Sequence, residues 1–399
     1  MEMQIRTITA GAREADIERA ARAAVLARER LEAAGYVVQS LRLALSTSGS
    51  NRCADFATVA QGAEQQALDA GFDCVAIGRV DIERLVQLAD GIAATQALFA
   101  SARIAGRDGI ADHAAIRAAA QAIIAIGAAT EHGFGNMRFA ALAGVAPGSP
   151  FFPAAYHHGD GPWIAVGPEA AALAVDSTTD QRPTTNDEKD PAFVLRPSSF
   201  VLAALARLTT LIEQHDAQIA SALNGLEDET HVYFAGCDWS LAPHPDVSRS
   251  IGGAIEALSG VPFGTWGTLA AVRQLTDAIR AARVTQLGFS GVMLPVLEDP
   301  ILAQRNAEGR YTLRDLLAFS AVCGAGLDTI PLPGDSTAEQ IVGVLEELAA
   351  LAGALRKPLT ARLLPMPGLK AGDLTTFASI SDSPLSGGLC DSRVMRLEG

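Results

Sequence analysis

A chain of 399 residues, 49% hydrophobic and 19% charged, with 37 glycines and 19 prolines, is long enough to bury a sizeable core and too apolar to remain disordered. Two lobes or one large closed barrel suit that length. A formal net charge of −14, a pI near 5.0 and the absence of any basic tract make nucleic acid and anionic membrane poor partners.

The elements alternate in type along the chain. Residues 5–9 alternate β-branched with polar side chains and predict a strand, and 13–34 carry apolar residues at helical spacing. The order repeats as strand 37–46, helix 53–70, strand 73–78, helix 81–91, strand 97–104 and helix 111–128. Such alternation builds a mostly parallel sheet wrapped by helices. From 129 to Trp163 the pattern becomes irregular and rich in Gly, Pro and aromatics, a composition typical of loops that carry function. Residues 176–197 are polar and predict a connection or flap. Alternation then resumes with helix 199–223, strand 231–237, helices 248–258 and 268–282, strand 291–297, helix 312–321, strand 328–332, helix 337–355 and strand 359–364.

The apolar stretch 118–129 falls short of the roughly 20 residues that span a bilayer, and the first residues lack the basic-then-apolar layout of a secretory signal. Five scattered cysteines (Cys53, Cys74, Cys237, Cys323, Cys390) without a C-x-x-C pair are expected to be reduced thiols. The expectation is a soluble cytoplasmic protein.

Four segments gather groups capable of chemistry. In the first, a Gly-rich turn around Asn136 and Arg138 frees backbone N–H groups that could grip a carboxylate or phosphate, and His157 and His158 follow it. Adjacent histidines on a strand face opposite ways, and a structural role fits either as well. The second closes a hydrophobic strand with Asp238 and Ser240, and His244 lies just beyond. A carboxylate at a strand's carboxyl end is a common general acid or base, although Asp is equally a turn former. In the third, Gly267 and Thr268 open a helix whose N–H groups could seat an anion, or Thr265 or Thr268 simply caps it. The fourth contains Glu298, then Cys323 before two glycines and Asp328 beside an apolar strand. There a thiolate and a carboxylate of raised pKa could react, or the thiol could be an inert core residue.

These segments together resemble a known family, the domain of unknown function 711, also called uncharacterised protein family 0210. The similarity runs through residues 5–9, 136–140, 149–157, 238–243, 264–270, Glu298–Asp299, 322–335 and 360–372. It implies a fold grouped with the pyruvate formate-lyase barrel: an α/β barrel of ten strands in two five-stranded halves, with a loop inside. The halves are expected over 1–175 and 198–399, forming one domain across the 176–197 connection. The resemblance brings no reaction, metal or cofactor. It does bring a presumed partner, a small amino-acid-binding regulatory domain. Glycyl radical chemistry is not implied, because Ser386-Gly387-Gly388-Leu389-Cys390 lacks the required glycine context. A metal site built from Asp238, His157 and Glu298 has no ligand-spacing pattern behind it.

The expected function is an enzyme acting on a small anionic, amino-acid-like or carbonyl metabolite. Arg138 would anchor the anion, Asp238 and His157 would act as acid and base, and Cys323 and Asp328 would line the reacting centre. The rival is a non-catalytic metabolite-binding protein that signals to a partner domain, and a weaker third is a structural subunit. A homodimer is the base-rate expectation.

Overall fold

A computed structural model describes residues 3–46, 55–159, 161–179, 197–377 and 388–397. Among them, the first run is β1 (Ile5–Ala12), α1 (Ile17–Ala33), β2 (Leu41–Leu45), α2 (Phe56–Asp69), β3 (Cys74–Arg79), α3 (Leu88–Ala93), β4 (Leu98–Ala105), α4 (His113–Ala129) and β5 (Phe139–Ala143). After it come β6 (Trp163–Pro168), α5 (Ala171–Thr179), α6 (Ser198–Ala222), α7 (Leu226–Thr230), β7 (Tyr233–Cys237), α8 (Ile251–Ser259) and α9 (Thr268–Ala281). The remainder is α10 (Pro300–Ala307), α11 (Leu313–Ser320), β8 (Gly326–Pro333), α12 (Ala338–Leu355) and β9 (Leu359–Met366). Cys53 and most of the polar connection lie outside the described residues.

The strands form one mixed sheet in the order β7-β6-β1-β2-β3-β4-β5-β9-β8. β1 to β5 run parallel, whereas β6 lies antiparallel to β1 and β9 antiparallel to β5. β7 is parallel to β6, and β8 to β9. Strand direction therefore reverses between β5 and β6. Both of those strands lie in or border the stretch that the sequence pattern leaves irregular.

Alternation along the strands separates two faces. Leu43, Val75, Leu98, Ala100 and Ala102 join the helices in the main core. Ala44, Ala76, Phe99 and Ala165 point the other way, onto Phe152 and Ala155 of the loop joining β5 to β6. That loop thus lies across the face opposite the helices. Parallel strands covered on both sides explain their nearly continuous apolar runs.

The strand expected over 291–297 is not a continuous ladder. Its neighbourhood makes isolated parallel bridges instead, Gln286 to Cys237, Val292 to Leu241 and Pro295 to Asp328. Gly288 and Ser290 both have positive φ, 64° and 38°, and Gly291 packs against the backbone of Gly324, so a regular ladder is interrupted at each point.

Candidate functional site

On the inner face a cavity of about 600 Å³ opens among β1, β2, β8, β9 and the β5–β6 loop. Its walls are mostly aromatic and apolar, including Phe99, Phe134, Phe151, Phe152 and Met293. Its charged and imidazole groups include Arg6, Arg42, His244, Glu298, Asp328 and Arg362, brought together from positions up to 356 residues apart (362 minus 6), and Asp73, whose carboxylate accepts from Leu41 N at 2.7 Å and lies 3.5 Å from Arg28.

Arg362 holds two carboxylates at once, Asp328 Oδ1 at 2.6 Å through Nε and Glu298 Oε1 at 2.7 Å through Nη2. Arg6 reaches the other Glu298 oxygen at 3.2 Å and Glu169 at 3.6 Å, and Arg249 completes the chain at 3.0 Å from Glu169. Burial pushes the Glu298 carboxyl up, but Arg362 and Arg6 outweigh it and hold the group below its ordinary value. Burial likewise opposes the Arg362 charge, and the paired Asp328 and Glu298 more than compensate.

A backbone irregularity aims these carboxylates. The β8–β9 register shifts between Leu327 and Ile330, and Thr329 adopts φ 46°, unusual for a β-branched residue. Leu327 and Ile330 stay in the helix-facing core while Asp328 turns into the cavity. Thr329 Oγ1 accepts from the N–H of Leu297 at 3.2 Å, fixing the residue next to Glu298.

Arg42 differs from its neighbours. Its Nε donates to Ser40 Oγ at 3.0 Å and its guanidinium lies 5.5 Å from the Phe152 ring centre, but no carboxylate among the described residues pairs with it. Burial lowers its pKa from the ordinary arginine value. Asp328 Oδ2 also has no hydrogen-bond partner among the described residues. His244 has a buried Nδ1 with no partner, and burial holds the imidazole below its usual pKa against the pull of Glu169. The cavity therefore offers a spare cation, a spare carboxylate oxygen and a neutral imidazole.

The residues expected from sequence divide unevenly. Glu298 and Asp328 line the cavity. Arg138 reaches its margin, but its guanidinium donates to Ile92 O at 2.7 Å, Leu98 O at 3.3 Å and Thr95 Oγ1 at 3.2 Å, tying down the end of α3, and burial drops its pKa to about 10. Asp238 lies elsewhere and is fully engaged. It accepts from Ser240 N and Oγ (3.1 and 2.7 Å) and from Phe289 N and Ser290 N (both 2.9 Å), so Asp238 and Ser240 together pin the 288–291 turn.

Asn136 donates to Ile123 O at 3.0 Å and is wholly buried. Thr268 Oγ1 accepts from Gly264 N at 3.0 Å, and Gly267 takes φ 112° before α9, a local turn away from the cavity lining. Cys323 is buried in the main core, its Sγ accepting from Gly326 N at 3.4 Å. His157 bridges the end of β2 through Ser46 and shares a hydrogen bond with Gly159 O at 3.2 Å, and burial lowers its pKa. Asp238, His157 and Glu298 are not gathered, and no group of three or more potential metal ligands occurs among the described residues.

Sequence reading passed over Arg6, Arg42 and Arg362. The available signal was a single charge inside each of three otherwise uncharged strands, IRTITAGA, LRLAL and LTARLLPM. In a sheet covered on both faces such a charge must meet a partner or a ligand.

The class defined so far is a mixed α/β protein whose sheet carries a guanidinium-rich cavity on its inner face. The family model described as "Uncharacterised ACR (DUF711)" matches residues 1–382, and the chain belongs to that family. Similar relatives are UPF0210 proteins. That of Pyrobaculum aerophilum is 32% identical over 240 residues, 59% of this chain and 51% of the relative. That of Clostridium perfringens is 26% identical over 370 residues, 88% of this chain and 78% of the relative. The match thus spans about half the length of the Pyrobaculum protein.

Proposed function

We propose that the cavity receives a small anionic, amino-acid-like metabolite and that the chain is an enzyme acting on it. The observation that carries this reading is Arg42, a guanidinium without a carboxylate partner among the described residues, set in the wall of the 600 Å³ cavity. A ligand carboxylate would meet it in a fork geometry, and the free Oδ2 of Asp328 would take an ammonium or hydroxyl. The aromatic walls suit an apolar body, and the neutral His244 supplies a proton acceptor at the margin.

The same reading joins the edges of the sheet. The bridges of Gln286, Val292 and Pro295 to Cys237, Leu241 and Asp328 support a tenth strand between β7 and β8, closing a ten-stranded barrel of two five-stranded halves like that of the pyruvate formate-lyase fold.

A second reading, a non-catalytic metabolite sensor working with a regulatory partner domain, is favoured by one fact: Asp238, His157 and Cys323 all lie away from the cavity lining. The two part in one experiment. Protein is incubated with a metabolite extract, and both bound and consumed compounds are followed by mass spectrometry. Consumption of an amino-acid-like anion supports the enzyme; retention of the same compound unchanged supports the sensor. Arg42→Ala should weaken that binding at least about tenfold, the loss expected for a charged hydrogen bond. Unaltered binding would remove Arg42 from the site and sink both readings.

A further inference from the structure

A second set of unmatched charges lies at the other end of the inner face. β3 ends at Arg79, and its register with β4 shifts between Ala76 and Arg79, where Gly78 adopts φ 74°. Cys74 and Ala76 face inward, so strict alternation would turn Arg79 toward the helices. The bulge reverses that, and the Arg79 guanidinium lies 4.5 Å from the ring centre of the buried Tyr156.

On the adjacent strand, Phe99, Ser101 and Arg103 share the inward row, because Leu98, Ala100, Ala102 and Ile104 belong to the helix-facing core. Arg103 is the one exposed residue of β4, and Arg107 is exposed two residues beyond its end. No hydrogen bond or ion pair engages Arg79, Arg103 or Arg107 among the described residues, and the nearby Asp108 carboxylate accepts from Ile110 N at 3.1 Å within its own turn. All three guanidiniums oppose the rise that burial imposes on the Tyr156 phenol, which donates to Val145 O at 2.9 Å.

Two further observations point to a ligand. Ser101, two residues from Arg103 on the same row, is fully buried with no partner for Oγ. In addition, β3 and β4 are parallel and the cluster stands at their carboxyl ends, where open α/β sheets place ligands. The location is distinct from the cavity. Phe99 lines that cavity and Arg103 stands four residues further along β4, about 13 Å at the usual strand rise.

We propose that Arg79, which lies over Tyr156 at the end of β3, forms with Arg103 and Arg107 at the carboxyl end of the adjacent β4 a second site that binds a phosphate dianion. Three guanidiniums that no carboxylate pairs with among the described residues, on a chain of net charge −14, suit a doubly charged tetrahedral group better than a single carboxylate. The group comes either as free phosphate or as the phosphoryl end of an organic monoester. The proposal stands independently of the reading of the cavity.

The test titrates the full chain with inorganic phosphate and with phenyl phosphate at constant ionic strength, chloride serving as the control, and reads binding by calorimetry and thermal stabilisation. Saturable binding is expected, weakened at least tenfold in Arg103→Ala/Arg107→Ala, whose side chains are exposed, and unchanged in Arg42→Ala. Preference for phenyl phosphate identifies the monoester as the source, and preference for the inorganic ion identifies free phosphate. Equal titrations for wild type and the double variant, reproduction of the effect by chloride, or loss in Arg42→Ala instead would each overturn the proposal.

Discussion

Arg362 carries two acids on one side chain, so its removal differs from the loss of an ordinary surface pair. Its partners have side chains no more than 15% exposed, and Arg362→Ala would leave Asp328 unpaired and Glu298 with Arg6 alone. The expected cost is about 3–5 kcal/mol in urea unfolding, whereas exposed pairs such as Arg273–Asp277 should give less than about 1 kcal/mol. A loss below 1 kcal/mol for Arg362→Ala would show that the network contributes little to holding the cavity wall. Asp238 is expected to behave as a structural acceptor. In Asp238→Asn an amide NH₂ faces a cluster of N–H and O–H donors, which predicts destabilisation by about 1–3 kcal/mol, with the 288–291 turn loosened. A variant as stable as wild type would contradict that assignment.

Among the elements, the irregular ones position the chemistry. Thr329 in β8 and Gly78 in β3 each break alternation, and each break turns a charged neighbour inward, Asp328 in one case and Arg79 in the other. Gly288 serves the 288–291 turn, since it has φ 64° and a Cβ there would overlap the Asp238 carboxylate. Gly288→Ala should therefore cost more than about 1 kcal/mol in denaturant unfolding, while Gly62→Ala at an exposed position of α2, with open space around it, should be neutral or stabilising. Equal effects of the two would refute the crowding at Gly288.

The contrast explains what was legible in the sequence. Apolar period announced α1, α4, α6, α9 and α12 and the strands β1 to β4, because that signal is local. β5 and β6 escaped notice because short apolar runs among Gly, Pro and aromatic residues carry no period that separates strand from loop. Glu298 and Asp328 were legible as acids beside strands. Arg42 and Arg362 were not singled out, because their significance depends on which face of the sheet they occupy, a matter of bulges and of strands that meet across the fold. Asp238 and Cys323 drew attention by chemical type, which is blind to whether backbone donors already occupy the side chain.

At the scale of the whole molecule, acid sensitivity should begin with histidines. Burial holds His157, His215 and His244 below the usual 6.5. Their folded pKa values are thus depressed, so the unfolded chain binds more protons as pH falls below about 6.5, and stability present above that value is lost on the way down. Asp238 and Asp299, pushed up by burial, work in the opposite sense, their contribution present at low pH and lost as pH rises through the raised values. Glu298, held low, adds its loss only under more acid conditions, below about 4.3. The urea midpoint should fall between pH 7 and 5.5, and less steeply in His157→Gln/His244→Gln; a flat profile in wild type would refute the histidine account. Closure of the sheet has its own test in amide exchange. Leu241 N donates to Gly291 O at 3.0 Å, Gly324 N to Val292 O, and Val296 N to Asp328 O at 3.1 Å. If 286–296 completes a barrel, these amides should exchange as slowly as those of β1, and fast exchange there would leave the sheet open.

The three tryptophans occupy very different surroundings: Trp239 is wholly enclosed, Trp163 is 3% exposed beside His157, and Trp266 is 88% exposed before α9. Their emission should accordingly be composite, with a red-shifted share from Trp266 that acrylamide quenches readily and a blue-shifted share that it scarcely reaches. Replacing Trp266 by Phe should remove the quenchable share alone, leaving an optical probe confined to the interior.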